Sequence, residues 1–258
     1  MGQGRAALEG RSHGIVCACD LDRLDDVVRL IEAIDPVDGL AGYKLGSLLT
    51  LRYGLVEVVR QLRKVTAKAL LYDHQKAGLD IPSMAAHYAA ACREAGVDAL
   101  ILFPLAGPTA VDAFVGETLR AGLTPVVGGA LPLPDYQARG GGYVSAAAPG
   151  RIAERAFELG ARDFVVPATD VASVRRHARR FAAREPTRLF LPGIGALGGE
   201  IKKAFAAALG LSTFAIIGRA IYAAPRPEEA ASRFGDEALG FARRAGTGDD
   251  HERPVEIR

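Results

Sequence analysis

Between Ala67 and Pro82 the chain reads AKALLYDHQKAGLDIP, an apolar run as far as Tyr72 that gives way at once to Asp73, Lys76 and Asp80. The run is nearly continuous in hydrophobicity instead of alternating, which is how a strand buried on both faces of a parallel sheet reads. Seven more such runs lie outward from it: Gly14 to Cys19 and Ala41 to Gly46 before it, then Ala99 to Phe103, Thr124 to Val127, Asp163 to Val166, Arg188 to Leu191 and Thr213 to Ile217 after it. They recur at intervals of roughly 25 to 35 residues, and the segments between them have helical periodicity. Leu24, Val27, Val28 and Ile31 form one apolar stripe, with Asp25, Asp26 and Arg29 on the other side; Leu55, Val58, Val59 and Leu62 form another.

Strand alternating with helix eight times, with no Ser-, Pro- or charge-rich linker, predicts an α/β fold: a single (β/α)8 (TIM) barrel over residues 1–243. The charged, non-periodic stretch 244–258, RAGTGDDHERPVEIR, predicts a disordered or peripheral tail. From Leu131 to Ser145, LPLPDYQARGGGYVS interrupts the pattern; its prolines forbid regular pairing, and Gly140, Gly141 and Gly142 predict a flexible hinge in a loop suited to closing over a ligand.

Composition narrows the classes. Of 258 residues, 49% are hydrophobic and 24% charged, which excludes a disordered polymer. Thirty-two basic against thirty acidic residues leave a net charge of +2, so no overall field favours nucleic acid or an anionic membrane. Cys17, Cys19 and Cys92 are too few and too odd for a disulfide scaffold; the start has no signal-peptide core and no run spans a bilayer, which together predict a cytoplasmic protein. The Cys17 and Cys19 pair predicts core packing, and the basic run RRHARR at 175–180 a solvated helix face.

In such barrels chemistry sits at the C-terminal ends of the strands. Asp20 follows the first run, Lys44 lies in the second, and Asp73, Lys76 and Asp80 follow the third. Ionisable groups in apolar strands are costly unless they pair or do chemistry, and alternating acid and base holds each neighbour charged. This makes a lysine there a candidate proton donor and the carboxylates stabilisers of positive charge. Asp20 has a second reading as the N-cap of the first helix. His74 lies inside the same stretch, where it orients its neighbours, and His87 has no evident partner. After the seventh run, FLPGIGALGGE offers Gly193, Gly195, Gly198 and Gly199; after the eighth, AIIGRAIY offers Gly218 and Arg219 at a helix start. Bare N–H groups in those two loops, with an arginine clamp, predict a phosphate site. Residues and placement together predict a small phosphorylated ligand, with its phosphate at strands 7 and 8 and its reacting end over strands 2 and 3.

The pieces CACD, GYKLG, DHQKAGLDIP, LPGIGALGG and IIGRAIY, in this order between Gly14 and about Tyr222, resemble the orotidine 5′-phosphate decarboxylase family, particularly its short microbial and archaeal type with a DHQK variant of the motif. The resemblance implies a homodimeric barrel that converts orotidine monophosphate to UMP and CO2 without metal or organic cofactor. It implies that Lys44, Asp73 and Lys76 form the catalytic network with an Asp80 contributed across the subunit interface, Lys76 protonating C6 of the pyrimidine and Asp73 lying beside the departing carboxylate. It further implies that Asp20 and Lys44 contact ribose hydroxyls, and that Gly198, Gly199, Gly218 and Arg219 hold the phosphate of the pyrimidine nucleotide. The chain departs from the family in three places. Asp73, Lys76 and Asp80 are spaced more widely than the usual Asp-x-Lys-x-x-Asp; Leu197 stands where a phosphate-binding Gln is usual; and Leu131 stands where a hydroxyl residue usually reads the ring. Rival readings are a specialised relative acting on a modified pyrimidine nucleotide, a Mg2+-dependent decarboxylase or aldolase of keto-sugar phosphates, and a non-catalytic nucleotide-binding barrel.

Overall fold

A computed structural model describes residues 8, 10–74, 78–182, 184 and 186–246. Its strands are β1 (His13–Ala18), β2 (Leu40–Gly46), β3 (Ala69–Asp73), β4 (Ala99–Leu102), β5 (Thr124–Val127), β6 (Asp163–Val165), β7 (Arg188–Pro192) and β8 (Ser212–Ile217). They run parallel in sequence order, and β8 closes on β1 to complete a barrel. Around it lie α1 (Leu24–Ile34), α2 (Ser47–Tyr53), α3 (Leu55–Leu62), α4 (Ala85–Ala95), α5 (Pro108–Arg120), α6 (Ala148–Glu158), α7 (Val171–Phe181), α8 (Ile201–Ala207), the single-turn α9 (Arg219–Tyr222) and the closing α10 (Pro227–Gly246).

The continuous apolar runs divide between two cores by strand alternation. Val16, Ala18, Ala41, Ala69, Leu71, Ala99, Ile101, Phe103, Val126, Val165, Phe190, Phe214 and Ile216 fill the barrel interior. There the alanines of β1 to β4 leave room for the stacked rings of Phe190 and Phe214, 5.2 Å apart. The intervening residues, including Cys17, Tyr43, Leu45, Leu70 and Tyr72, pack outward against the helices. Both predicted stripes face that outer core: Leu24, Val27 and Ile31 of α1 and Val58, Val59 and Leu62 of α3 are buried, with Val28 and Leu55 at the margin. Gly39 meets α10 backbone to backbone; a Cβ there would lie 2.4 Å from Gly235 Cα.

Cys17, Cys19 and Cys92 are buried free thiols. On α7 the four arginines of the basic run are exposed and His177 is buried. No helix of the described residues is long and apolar enough to cross a membrane.

One expectation is corrected. Helix α10 continues to Gly246, so the regular structure passes the boundary placed at 243; the remainder of the 244–258 tail lies outside the described residues. The 131–145 loop folds back on itself: Ala138 N–H bonds Val144 O at 2.8 Å and Gly142 N–H bonds Gln137 O at 3.0 Å. Its glycines permit close approach, since a Cβ on Gly140 would lie 2.1 Å from Pro134 O and one on Gly142 1.9 Å from Asp135 O.

Candidate active site

Alternation decides which side chains reach the mouth of the barrel. In β1, Cys17 and Cys19 face the helices while Val16 and Ala18 face inward, so Asp20 takes the next inward position. In β2, outward Tyr43 and Leu45 leave Lys44 inward; in β3, outward Leu70 and Tyr72 leave Asp73 inward. The register pairs Ala18 with Lys44 and Gly46 with Asp73, which brings the three groups together on adjacent strands at the C-terminal rim.

Lys44 Nζ lies 3.1 Å from Asp20 Oδ1 and 3.0 Å from Asp73 Oδ2. The Lys44 and Asp73 side chains are only 11% and 10% exposed, whereas that of Asp20 is half open. Burial works against the ammonium charge, but the carboxylates of Asp73 and Asp20 outweigh it and hold Lys44 above the ordinary lysine range. Asp73 Oδ1 is buried and has no hydrogen-bond partner among the described residues. Gly46 makes the triad possible, because a Cβ there would lie 2.7 Å from Asp20 Oδ1. Asp20 is not a helix cap: α1 begins after Arg23, which has no capping side-chain bond.

Of the other two members of the predicted cluster, only Asp80 is described, and it does not join this triad. Lys76 lies outside the described residues. Asp80 is exposed, and its Oδ1 accepts from Ile81 N at 2.7 Å where the chain enters the 3-10 turn Pro82–Met84. It borders a separate cavity of about 520 Å3 with His74, Leu79, Met84, His87, Tyr88 and Phe114. Within one chain, therefore, the charge alternation extends from Asp20 through Lys44 to Asp73 and not to Asp80.

Across the mouth, the β7 and β8 loops differ from expectation in one respect. Gly198 N–H bonds Gly195 O at 2.8 Å and Gly199 N–H bonds Gly193 O at 3.0 Å, so both groups expected to be bare are engaged within their own tight turn. Gly193, Ile194, Ala196 and Leu197, and not these two, face the cavity. Gly218 does precede the single turn α9, in which Ile221 N–H and Tyr222 N–H bond Gly218 O at 2.8 and 3.1 Å and the Arg219 and Ala220 N–H groups come first. Arg219 is exposed and has no carboxylate partner among the described residues.

A cavity of about 310 Å3 joins the two ends: Asp20, Lys44 and Asp73 on one side, Gly218, Arg219 and Tyr222 on the other. Its floor is the top of the inner core, Ile101, Phe103, Val165 and Ile216, and Leu131, Pro132 and Leu197 form an apolar wall. A larger opening of about 850 Å3 beside it runs from Asp20, Lys44 and Asp73 out to Leu48, Leu51 and His74. Gly46 and Tyr222 were not singled out in the sequence. Strand alternation combined with the register would have found Gly46; nothing local marks Tyr222.

Residues 14–234 match the model of the family described as "Orotidine 5′-phosphate decarboxylase / HUMPS family". The chain belongs to this family. Among curated members of the orotidine 5′-phosphate decarboxylase / HUMPS family, it is 30% identical over 232 residues to orotidine 5′-phosphate decarboxylase from Pyrococcus abyssi, covering 88% of this chain and 99% of that one. It is 28% identical over 228 residues to the protein of that name from Methanosarcina mazei, covering 88% and 96%. The crystal structure of orotidine 5′-phosphate decarboxylase from Pyrococcus horikoshii superposes with a TM-score of 0.70 at 25% identity, covering 86% of this chain and 98% of that one. The Methanocaldococcus jannaschii orotidine 5′-monophosphate decarboxylase complexed with inhibitor BMP has the same fold, with a TM-score of 0.74 at 20% identity over 87% and 98% of the two chains.

Proposed function

We propose that this protein is a carboxy-lyase that converts orotidine 5′-monophosphate to UMP and CO2 in the cytoplasm, with residues 1–246 acting as one catalytic barrel. The observation that carries this reading is the 310 Å3 cavity with the alternating Asp20, Lys44 and Asp73 at one end, Lys44 and Asp73 nearly buried, and at the other Arg219, which has no carboxylate partner among the described residues. Relatives that align along nearly their whole length and bear this activity in their names support it.

The geometry supports one orientation of the ligand. The phosphate lies against Arg219 and the first N–H groups of α9, with Gly198 and Gly199 shaping the β7 loop. Asp20 and Lys44 meet the ribose hydroxyls, and the pyrimidine lies over Phe103 and Ile216. The scissile carboxylate then faces Asp73. Breaking its bond to C6 leaves the electron pair on C6 and releases CO2; a proton from the Lys76 ammonium forms the new C6–H bond. Lys44 stays protonated between its two acids and stabilises negative charge developing above it. The same ammonium occupies the space between the carboxylates that a divalent cation would need, which disfavours the Mg2+-dependent sugar-phosphate chemistry.

A second subunit fits beside the site. Leu48, Leu51, Val56, Leu79, Ile81 and Met84 are large apolar side chains left exposed around the β2 and β3 loops, Leu51 at 84%. Such a concentration marks a protein interface. A second copy docked there would bring its Asp80 toward the Asp73 of the first, and a homodimer by light scattering that Leu51→Asp dissociates is the expected result.

Purified protein is expected to consume orotidine monophosphate and release stoichiometric CO2 with or without EDTA; absence of turnover overturns the assignment. The apolar wall at Leu131 and Leu197 favours one second reading, a pyrimidine nucleotide whose ring edge is modified, because a site without polar partners does not discriminate for them. A kcat/KM for orotidine monophosphate in the ordinary enzyme range, about 10⁴ M⁻¹s⁻¹ or above, removes that reading.

A further inference from the structure

The strand ladder that holds Asp73 stops at Asp73 itself, which pairs with Gly46 on one side and Ile101 on the other. The next residue, His74, is gripped through its ring instead. Tyr72 lies edge-on to it with centroids 5.7 Å apart and Tyr88 of α4 lies edge-on at 5.9 Å, the interplanar angles being 80° and 85°. Both partners are themselves fixed. Tyr72 OH lies 3.2 Å from Thr50 Oγ1 of α2, the helix that follows β2, and the ring of Tyr88 packs 6.2 Å from Phe114 of α5. Four rings thus run from the end of β3 outward to α5, and two of them, Tyr72 and His74, flank Asp73 in the chain, His74 on the side where the strand ladder has ended. Its Nδ1 is buried with no partner among the described residues, so it is ring packing that holds it.

Successive residues of an extended chain point to opposite sides, so fixing the His74 ring outward fixes Asp73 inward. One Asp73 oxygen is on Lys44 and the other, buried, has no partner among the described residues; within the triad, Lys44 alone contacts the carboxylate. We propose that His74 is a positioning residue: clamped between Tyr72 and Tyr88, it sets the backbone leaving Asp73 and thereby holds that carboxylate against Lys44 at the mouth of the cavity. This rests on the decarboxylase reading for its kinetic consequence and on geometry alone for its structural one.

The test compares His74→Ala, which removes the clamp, with His74→Phe, which keeps a ring of similar size. His74→Ala is expected to lower kcat for orotidine monophosphate by about tenfold or more with KM within about twofold, since small misplacements of a reacting group act on the chemical step. His74→Phe is expected to stay within about threefold of the wild type. In crystal structures the 3.0 Å contact between Lys44 and Asp73 is expected to persist in His74→Phe and to be lost in His74→Ala. Wild-type kcat in His74→Ala, an intact contact there, or a His74→Phe as slow as His74→Ala overturns the proposal. If the wild type itself does not decarboxylate the nucleotide, the functional reading falls, and the two variant structures still decide the positioning role.

Discussion

The two rims of the barrel both carry charge inside apolar strands, and they use it differently. At the N-terminal rim Asp163 and Arg188 pair across β6 and β7, Arg188 gripping both carboxylate oxygens, with Nη2 to Oδ2 at 2.9 Å. Nearby, Asp98 Oδ2 accepts from Arg63 and from Leu70 N. At the C-terminal rim, among the described residues, Asp73 keeps a buried oxygen without a partner and Arg219 has no carboxylate beside it. Buried charge alone does not distinguish a structural pair from a reacting group. Unfilled bonding capacity, at the end of the barrel where the loops leave a cavity, does.

The largest expected effect separates the rims by activity. Asp73→Asn is expected to lower kcat by about 10³-fold or more, as removal of a preorganised charge from a transition state does, in a protein whose circular dichroism is unchanged. A variant retaining a tenth of the wild-type rate would place Asp73 with the structural pairs. Next comes the converse: Asp163→Ala removes the carboxylate that Arg188 grips through both oxygens and should destabilise the protein in urea unfolding by about 3 kcal/mol, with kcat/KM unaltered. Arg219→Ala should raise KM for the nucleotide by about 10- to 100-fold, the value of a charge-assisted hydrogen bond, and leave binding of the corresponding nucleoside unchanged. Gly46→Ala, whose new methyl collides with Asp20 and not with Asp73, should raise KM by about tenfold at nearly constant kcat.

The smallest effect is on pH. The folded value of Lys44 is raised, so the stability its ammonium contributes is fully present below the ordinary lysine value of 10.5 and is lost only as pH rises through the higher folded one. The stability difference between wild type and Lys44→Met should therefore be flat across neutral pH. His177 of α7 behaves oppositely. Burial lowers its value from 6.5, so its contribution is present above that pH and is lost as pH falls below it. Melting temperatures measured from about pH 8 to pH 5 should show the decline in the wild type and a smaller one in His177→Phe.

Much of this was legible in the chain. The eight apolar runs became the eight strands within a few residues, because burial on both faces leaves a local signature that needs no partner to be read. Asp20, Lys44 and Asp73 stood out because a charge in such a run is expensive wherever the run ends up. Asp80 was expected to act across a subunit interface, and within one chain the turn after Gly78 directs it to the surface. Gly198 and Gly199 were read as open donors, yet their N–H groups close the turn that contains them. That difference arises at a loop, where three or four residues of chain suffice to reverse a direction and composition does not record which way.

The sequence by itself determined a closed eight-stranded barrel with an alternating acid and base cluster at its C-terminal rim, since hydrophobic period and residue cost are local properties. Only the tertiary structure decided which charges meet. Register sets Lys44 between Asp20 and Asp73, barrel closure brings Arg219 across from them, and the ring clamp on His74 lies between residues on β3 and α4. Those relations depend on distances across the fold, which no spacing along the chain encodes.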